Sequence, residues 1–388
     1  MPTARLASHL LLAGVTTRAL AVSAARAGYR VTAVDAFGDL DLRAAAEVIA
    51  LTRETGGFTA AGAVLAGRRI RADAVAYTAN FENHPDAVGS LARGRELLGN
   101  PPEVLRRVRR PIALIRALAR RGFAVPRTRA TPPGGADPGP RRWLVKPRRS
   151  GGGRGIVPWR AGMRVSRGVY LQERIRGVPG SIVFLADGRR VLPLGLTRQL
   201  AGEPAFGARG FTYCGSLLSA PGTPLFAREA ELRATAEALA VAVTEEYGLV
   251  GLNGIDFIAR DGIPFPIEVN PRASASMELL ERLGGPLLFP LHLQGCRGRL
   301  PAGVVKTRRQ AVAGKAVLFA RREVIVPDLR RRGTAIADVP RPGQRIGRGH
   351  PICTAFAEGR TARECLRALE ARAREIYGAL ESRTKGAA

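Results

Sequence analysis

The stretch IDFIARDGIPFPIEVNPR, residues 255–272, constrains the fold of this chain more than any other. Two apolar runs flank Asp261-Gly262, a strong short-range signal for a β-hairpin. Side chains alternate along a strand, so Leu252, Gly254, Asp256 and Ile258 share one face. Pro264, Pro266, Glu268 and Asn270 share a face of the next strand. A two-residue loop pairs residue 256 with 267, whereas a three-residue loop with a Gly bulge pairs it with Glu268. In the second register two carboxylates oppose each other with Cβ atoms ~5 Å apart. Their repulsion grows among apolar neighbours, and a divalent cation would relieve it. Asp256, Glu268 and the amide oxygen of Asn270 form a hard, all-oxygen set. That set suits magnesium, especially where substrate phosphates complete the octahedron. The two prolines prefer an edge or a bulge. By pattern alone, an exposed hairpin with scattered polar residues fits equally well.

A second constellation is RRWLVKPRRSGGGRGI. Strand-like WLVKP carries Lys146 and leads into a Gly-rich loop, Ser150 to Gly155, before another strand-like run. Glycines let backbone N–H groups approach and cradle phosphate oxygens. The order is not that of a Walker A loop, because the lysine precedes the glycines. A surface lysine beside a flexible loop is the plain alternative. A third piece, YLQERIRGVPGSIVF, runs from a strand into Gln172-Glu173 and then Ile175. Such a connector can read an adenine edge while an apolar neighbour packs its face; an ordinary strand exit reads the same.

At 388 residues and 46% hydrophobic, the chain is sized for two or three domains with substantial cores. Cys214, Cys296, Cys353 and Cys365 show no C-x-x-C spacing, which fits a reducing cytoplasm and argues against structural zinc. No secretory or membrane-spanning segment is expected, and the expected location is cytoplasmic. The formal charge is +29, yet only Lys146, Lys306, Lys315 and Lys385 among the 61 basic residues are lysine. Arginine enrichment with abundant Ala, Gly and Pro is what a GC-rich genome produces, so the charge is a weak argument for a binding surface. The basic residues are spread end to end and aromatics are only 5%, so nucleic acid is not the expected partner.

Residues 6–35 read as strand, Gly turn, helix and strand ending at Asp35, a βαβ unit with parallel pairing. ADAVAYTAN, ending at Asn80, adds a strand to a small α/β domain over 1–100. It lacks G-x-G-x-x-G and reads as a scaffold lending one wall to a cleft. Residues 102–122 read as two helices, the second starting at Pro111. TPPGGADPGPRR (131–142) reads as a loop, 227–247 as a helix, KAVLFA as a strand, and ARECLRALEARAREIYGAL as a final helix. SRTKGAA reads as a frayed tail.

Taken in order, these pieces resemble the ATP-grasp superfamily over roughly residues 1–375. The likeness is strongest at 143–184 and at GIDFI…PIEVNPRASAS. It extends to the carboligase group related to biotin carboxylase, of carboxylate–amine ligase type. The resemblance implies an α/β (α+β) fold: a small N-terminal pre-ATP-grasp domain (1–100), a two-lobed ATP-binding domain of antiparallel sheets (101–305, mobile lobe about 140–215), and a C-terminal part (306–388) completing it. It implies that Lys146 contacts the α- and β-phosphates, with Ser150, Gly151, Gly152, Gly153 and Gly155 as a flap over them. Gln172, Glu173 and Ile175 would hold adenine, and Asp256, Glu268 and Asn270 would hold one or two magnesium ions, manganese being an alternative. Arg272 would sit beside the transferred phosphoryl group. Pro179 falls where the family often has an acidic ribose contact, and Arg109 or Arg110 where another phosphate ligand is expected.

The implied activity joins a small carboxylic acid to an amine through an acyl phosphate, with no nucleophilic Ser, Cys or His. Relatives that attach glutamate or similar amines in methanofuran and tetrahydromethanopterin pathways suggest an amino-acid substrate. A homodimer is the habit of such enzymes. The alternatives are a bicarbonate-dependent carboxylase and a basic nucleic-acid-binding protein on a degenerate scaffold. The substrate wall is expected from Gly14 to Arg18 and Asn80 to His84, facing Arg272 and Ser274 to Ser276. Lys315 is expected at the surface.

Overall fold

The computed structural model of the protein describes residues 9–51, 57–131, 142–303, 305–330 and 335–382. The loop read at 131–142 and the tail after Glu381 lie almost wholly outside these residues. Parallel strands open the chain. His9–Gly14 lies between Arg30–Asp35 and Ala74–Tyr77, with Glu47–Ala50 and Glu96–Leu98 at the two edges. These strands are almost wholly apolar and covered by helices on both faces, as parallel sheets require. Their C-terminal ends are closed by protein. Asp35 accepts hydrogen bonds from Thr17 N (2.7 Å), Thr17 Oγ1 (2.8 Å), Phe37 N (2.8 Å) and Gly38 N (2.9 Å). Thr78 Oγ1 donates to Thr16 O at 2.7 Å.

The main body is an eight-stranded antiparallel sheet. It runs in space Ile263–Asn270, Val250–Arg260, Val178–Asp187, Val191–Ala201, Tyr213–Ser219, Val312–Phe319, Pro351–Gly359 and Ile336–Ala337. The helices Glu229–Tyr247 and Ala362–Ser382 pack on one face. On the other face Leu185, Leu252 and Phe289 share one apolar core with Leu10 and Leu12 of the first domain. A smaller sheet, Thr128–Arg129, Val169–Glu173, Trp143–Pro147 and Val157–Pro158, carries the lysine strand. It ends at Glu173, so the smaller lobe is shorter than the expected 140–215: residues 178–201 belong to the large sheet.

The hairpin forms with the expected carboxylate pairing but by a different route. Its turn is the two-residue Asp261-Gly262 loop, with φ of +54° and +77°, and Arg260 pairs with Ile263. Both signs match a type I′ turn, which Asp-Gly favours. A β-bulge then shifts the register between Asp256 and Phe257, so that Asp256 opposes Glu268. Pro264 and Pro266 are tolerated because this is the edge strand and Pro266 borders the bulge.

The Gly-rich loop is seated on the large sheet. Gly152 O accepts from Tyr213 N at 3.0 Å. Gly153 has φ +76°, and a Cβ there would lie 1.8 Å from Phe211 O, an impossible contact. A Cβ at Gly151 would meet nothing within 4 Å. Gly153→Ala is therefore expected to destabilise the protein by about 1–3 kcal/mol and to strip hydrogen-exchange protection from the Tyr213 amide. Gly151→Ala should stay within ~0.5 kcal/mol of the parent in denaturant unfolding.

Candidate active site

A cleft lies between the helix Pro111–Arg120, the lysine strand, the Gly-rich loop and the carboxylate hairpin. Arg109, Lys146, Ser150, Gly151, Gly153 and Glu268 line it, with Tyr170 and Ile267 as apolar wall. Lys146 is buried. Its Nζ donates to Gln172 Oε1 (3.0 Å) and Ile267 O (3.5 Å), and lies over the Tyr170 ring. The strand register makes this possible by pairing Lys146 with Tyr170 and Leu144 with Gln172.

Not every expected residue reaches the cleft. Gln172 spends its side chain on Lys146 and on Thr128 Oγ1 (3.4 Å). Glu173 binds the backbone of Arg127 through both its N–H (2.8 Å) and its carboxylate (3.2 Å). Gln172, Glu173 and Ile175 are not among the cleft walls, nor are Gly152, Gly155, Asp256, Asn270 and Arg272; of the expected set, Lys146, Ser150, Gly151, Gly153 and Glu268 line it. Pro179 is held in the large sheet opposite Ile258.

Around the hairpin the polar groups are densely paired. Asp256 accepts from Gln199 Nε2 (2.9 Å) and Asn270 Nδ2 (3.0 Å). Glu268 accepts from Arg109 Nη1, which also donates to Val269 O at 3.1 Å. Arg110 stays exposed, so of the two candidate arginines it is Arg109 that enters. Arg272 donates to Asn270 Oδ1 (3.2 Å) and pairs with Glu82 at 2.9 Å. Glu82 is only 1% exposed, and its second oxygen has no partner, like Arg272 Nε and Arg109 Nε. From the first domain, Glu82 thus contacts Arg272 and Asn83 contacts Arg109, although residues 80–84 do not line the cleft.

The two carboxylates are pushed apart in acidity. Burial and then the charge of Glu268 drive Asp256 up to about 6, against hydrogen bonds from Ser181 and Asn270. Burial also acts upward on Glu268, but Arg109, Lys146 and Arg272 outweigh it and hold the group below the usual carboxylate range. This is the behaviour of a like-charge pair whose counter-charge is incomplete. The protein donors are two carboxylates and one amide. Among the described residues no three His, Cys, Asp or Glu side chains are grouped to hold a metal. So sparse a set fits magnesium, which keeps water or phosphate oxygens in its shell, better than a closed structural site.

A second ionic cluster escaped the sequence reading. Arg18 is buried and donates to both oxygens of Glu278 (2.5 and 3.1 Å) and to Asp338 (3.0 and 3.3 Å). Lys315, expected at the surface, is 3% exposed; its Nζ binds Glu278 and Ala275 O (3.2 Å). Strand alternation turns it inward beside Ser216, its partner across the sheet. The cluster pins residues 275–278, directly after Arg272, to the first domain and the C-terminal strands.

These acidities give a sign. Asp256 binds its proton more tightly folded than unfolded, so its contribution to stability falls as pH rises from about 4 through about 6. In EDTA at pH 8, Asp256→Asn should melt above the parent, by about 2–4 °C for ~1 kcal/mol of relief. The gap should close toward pH 4 in thermal unfolding.

Residues 112–276 match the family model described as an ATP-grasp domain. An uncharacterized protein of Methanocaldococcus jannaschii is 30% identical over 116 residues, a match spanning 30% of this chain and 28% of that protein. Among solved structures, the biotin carboxylase domain dimer of Hydrogenobacter thermophilus 2-oxoglutarate carboxylase, crystallised with MgADP, ADP and bicarbonate, superposes with a TM-score of 0.71. It is 15% identical, with 96% of this chain and 90% of that one covered. N5-carboxyaminoimidazole ribonucleotide synthetase of Thermus thermophilus gives 0.66 at 17% identity, with 95% and 98% covered. L-amino acid ligase of Bacillus licheniformis gives 0.65 at 16%, with 96% and 98% covered. Residues 112–276 are thus similar to an ATP-grasp domain, and the described architecture is the fold that these solved structures share, the ATP-grasp fold.

Proposed function

We propose that the protein is an ATP- and magnesium-dependent carboxylate–amine ligase working through an acyl phosphate. ATP-grasp proteins are in general ATP-dependent ligases. The observation that carries the reading is the bulged hairpin, which sets Asp256 opposite Glu268, itself a wall of the cleft lined by Lys146 and the Gly-rich loop. Asp256, Glu268 and Asn270 would hold magnesium or manganese, which when bound would offset the negative charge of the nucleotide phosphates.

In this reading Lys146 supplies fixed positive charge to the phosphates, kept in place by Gln172 and the Tyr170 ring. The Gly-rich loop offers backbone N–H groups and excludes water, which would hydrolyse an acyl phosphate. An oxygen of the substrate carboxylate attacks the γ-phosphorus and ADP leaves. The amine nitrogen then attacks the acyl carbon, phosphate departs with its bonding pair, and the nitrogen loses a proton. Arg272, oriented by Glu82, would stand beside that carbon, where charge develops on the oxygens. Adenine would lie along the strand exit at Gln172, Glu173 and Ile175. Glu173 holds Arg127 through its side chain, so the contacts there would be backbone carbonyls and the Ile175 side chain.

The acceptor is proposed to be an amino acid such as glutamate, in one-carbon cofactor synthesis of the methanofuran or tetrahydromethanopterin type. Likeness to an L-amino acid ligase supports the amino-acid part alone. A second reading is bicarbonate-dependent carboxylation, supported by likeness to a biotin carboxylase domain crystallised with bicarbonate. A homodimer is proposed on the same likeness. Among the described residues no helix is long and apolar enough to cross a membrane.

The test is thermal unfolding with EDTA, magnesium, ATP–EDTA and MgATP, on the parent and on Glu268→Gln. At ~100-fold excess over Kd, MgATP should stabilise the parent by ~2.7 kcal/mol, and the variant should lose the magnesium-dependent part. Phosphate release with hydroxylamine should then trap a hydroxamate from the right acid, while release with bicarbonate and no amine favours the second reading. Indifference of both forms to nucleotide would remove the basis for either, and the +29 charge would call for a salt-dependent nucleic-acid binding assay.

A further inference from the structure

Arg109 occupies the carboxylate that a cation would need. It reaches Glu268 from the connector between the helices Pro102–Val108 and Pro111–Arg120, with Nη1 on a carboxylate oxygen and on Val269 O (3.1 Å). Its other terminal nitrogen, Nη2, donates to Asn83 Oδ1 at 2.8 Å. Asn83 belongs to the first domain and is itself fixed, its Nδ2 donating to Asn80 Oδ1 (2.6 Å) and to Ser150 O of the Gly-rich loop (3.4 Å). One amide therefore holds both the arginine and the edge of the loop. The guanidinium is not fully satisfied there, since its buried Nε has no hydrogen-bond partner among the described residues.

We propose that Arg109 is the resident counter-ion of Glu268, steadied by Asn83, and that it makes cation binding depend on nucleotide. A dication approaching Glu268 alone meets, at contact distance, the positive charge of a guanidinium already hydrogen-bonded to Oε1, and must displace it to use both carboxylate oxygens. Nucleotide phosphates change the balance. Arg109 lines the same cleft as Lys146 and the Gly-rich loop, so a polyphosphate entering it offers the guanidinium stronger acceptors and frees Glu268. Cation and nucleotide then enter together. Because Asn83 also touches Ser150 O, the release of Arg109 loosens the first domain's hold on the loop.

The inference rests on the reading of Asp256 and Glu268 as cation ligands and has a readout independent of turnover. Free Mn2+ is followed by electron paramagnetic resonance at pH 8, without nucleotide and then with ATP, on the intact protein. Arg109→Gln should bind Mn2+ alone at least about tenfold more tightly than the parent, the order of one close charge pair. It should bind ATP less tightly. Asn83→Ala, which keeps the guanidinium but removes its holder, should give a smaller gain in the same direction and carries the test if Arg109→Gln does not fold. Equal or weaker Mn2+ binding in these variants would overturn the proposal. Absence of Mn2+ binding in every form, with ATP present, would instead sink the cation-site reading beneath it; Glu268→Gln provides that baseline.

Discussion

Asp256 and Glu268 face each other across a hairpin because one β-bulge adds a residue to the edge strand between the turn and the pair. Without that residue, Asp256 would oppose Ile267 and Glu268 would turn to the other face. Everything else in the cleft answers the resulting concentration of negative charge. Arg109 neutralises Glu268, Gln199 and Asn270 donate to Asp256, and Lys146 approaches from the smaller sheet. The compensation is uneven, and so are the two acidities. Asp256, facing amides, is raised, while Glu268, facing cations, is lowered. In the proposed reading, the carboxylate left short of charge is where a cation with its phosphates would be received.

Three buried ion pairs tie this centre to the rest of the chain. Arg272–Glu82 joins the end of the hairpin to the first domain, and Arg18–Glu278–Lys315 joins the next segment to that domain and to the C-terminal strands. Buried pairs of this kind add little net stability over apolar packing, but losing one partner strands a charge and costs roughly 3–5 kcal/mol. Their effect is to fix how the parts meet. The parallel domain, whose own strand ends are sealed by Asp35 and Thr78, acts through Glu82, Asn83 and Arg18.

What the sequence made legible was local. The Asp-Gly turn, the alternation on either side of it, the strand ending at Lys146 and the glycines after it all declare themselves within about twenty residues. The carboxylate register was legible only as one of two alternatives. The turn chemistry pointed to a two-residue loop, and the bulge that corrects the register has no signature beyond Pro266. The long-range partners were hidden. Arg18 and Glu278 are 260 residues apart, and among 61 basic residues no pattern marks Arg18 or Arg109 over their neighbours. Lys315 misled for the same reason: its strand reads as amphipathic in isolation, and only Glu278 from another segment makes burial of its ammonium tolerable.

The most direct test of the central claim is anomalous diffraction at the manganese edge from crystals grown with Mn2+ and a non-hydrolysable ATP analogue. The account predicts one or two manganese peaks within coordination distance of Asp256 and Glu268, with the nucleotide phosphates between them, Lys146 and the Gly-rich loop. Nucleotide bound elsewhere, or a well-ordered nucleotide with no manganese at the two carboxylates, would contradict it.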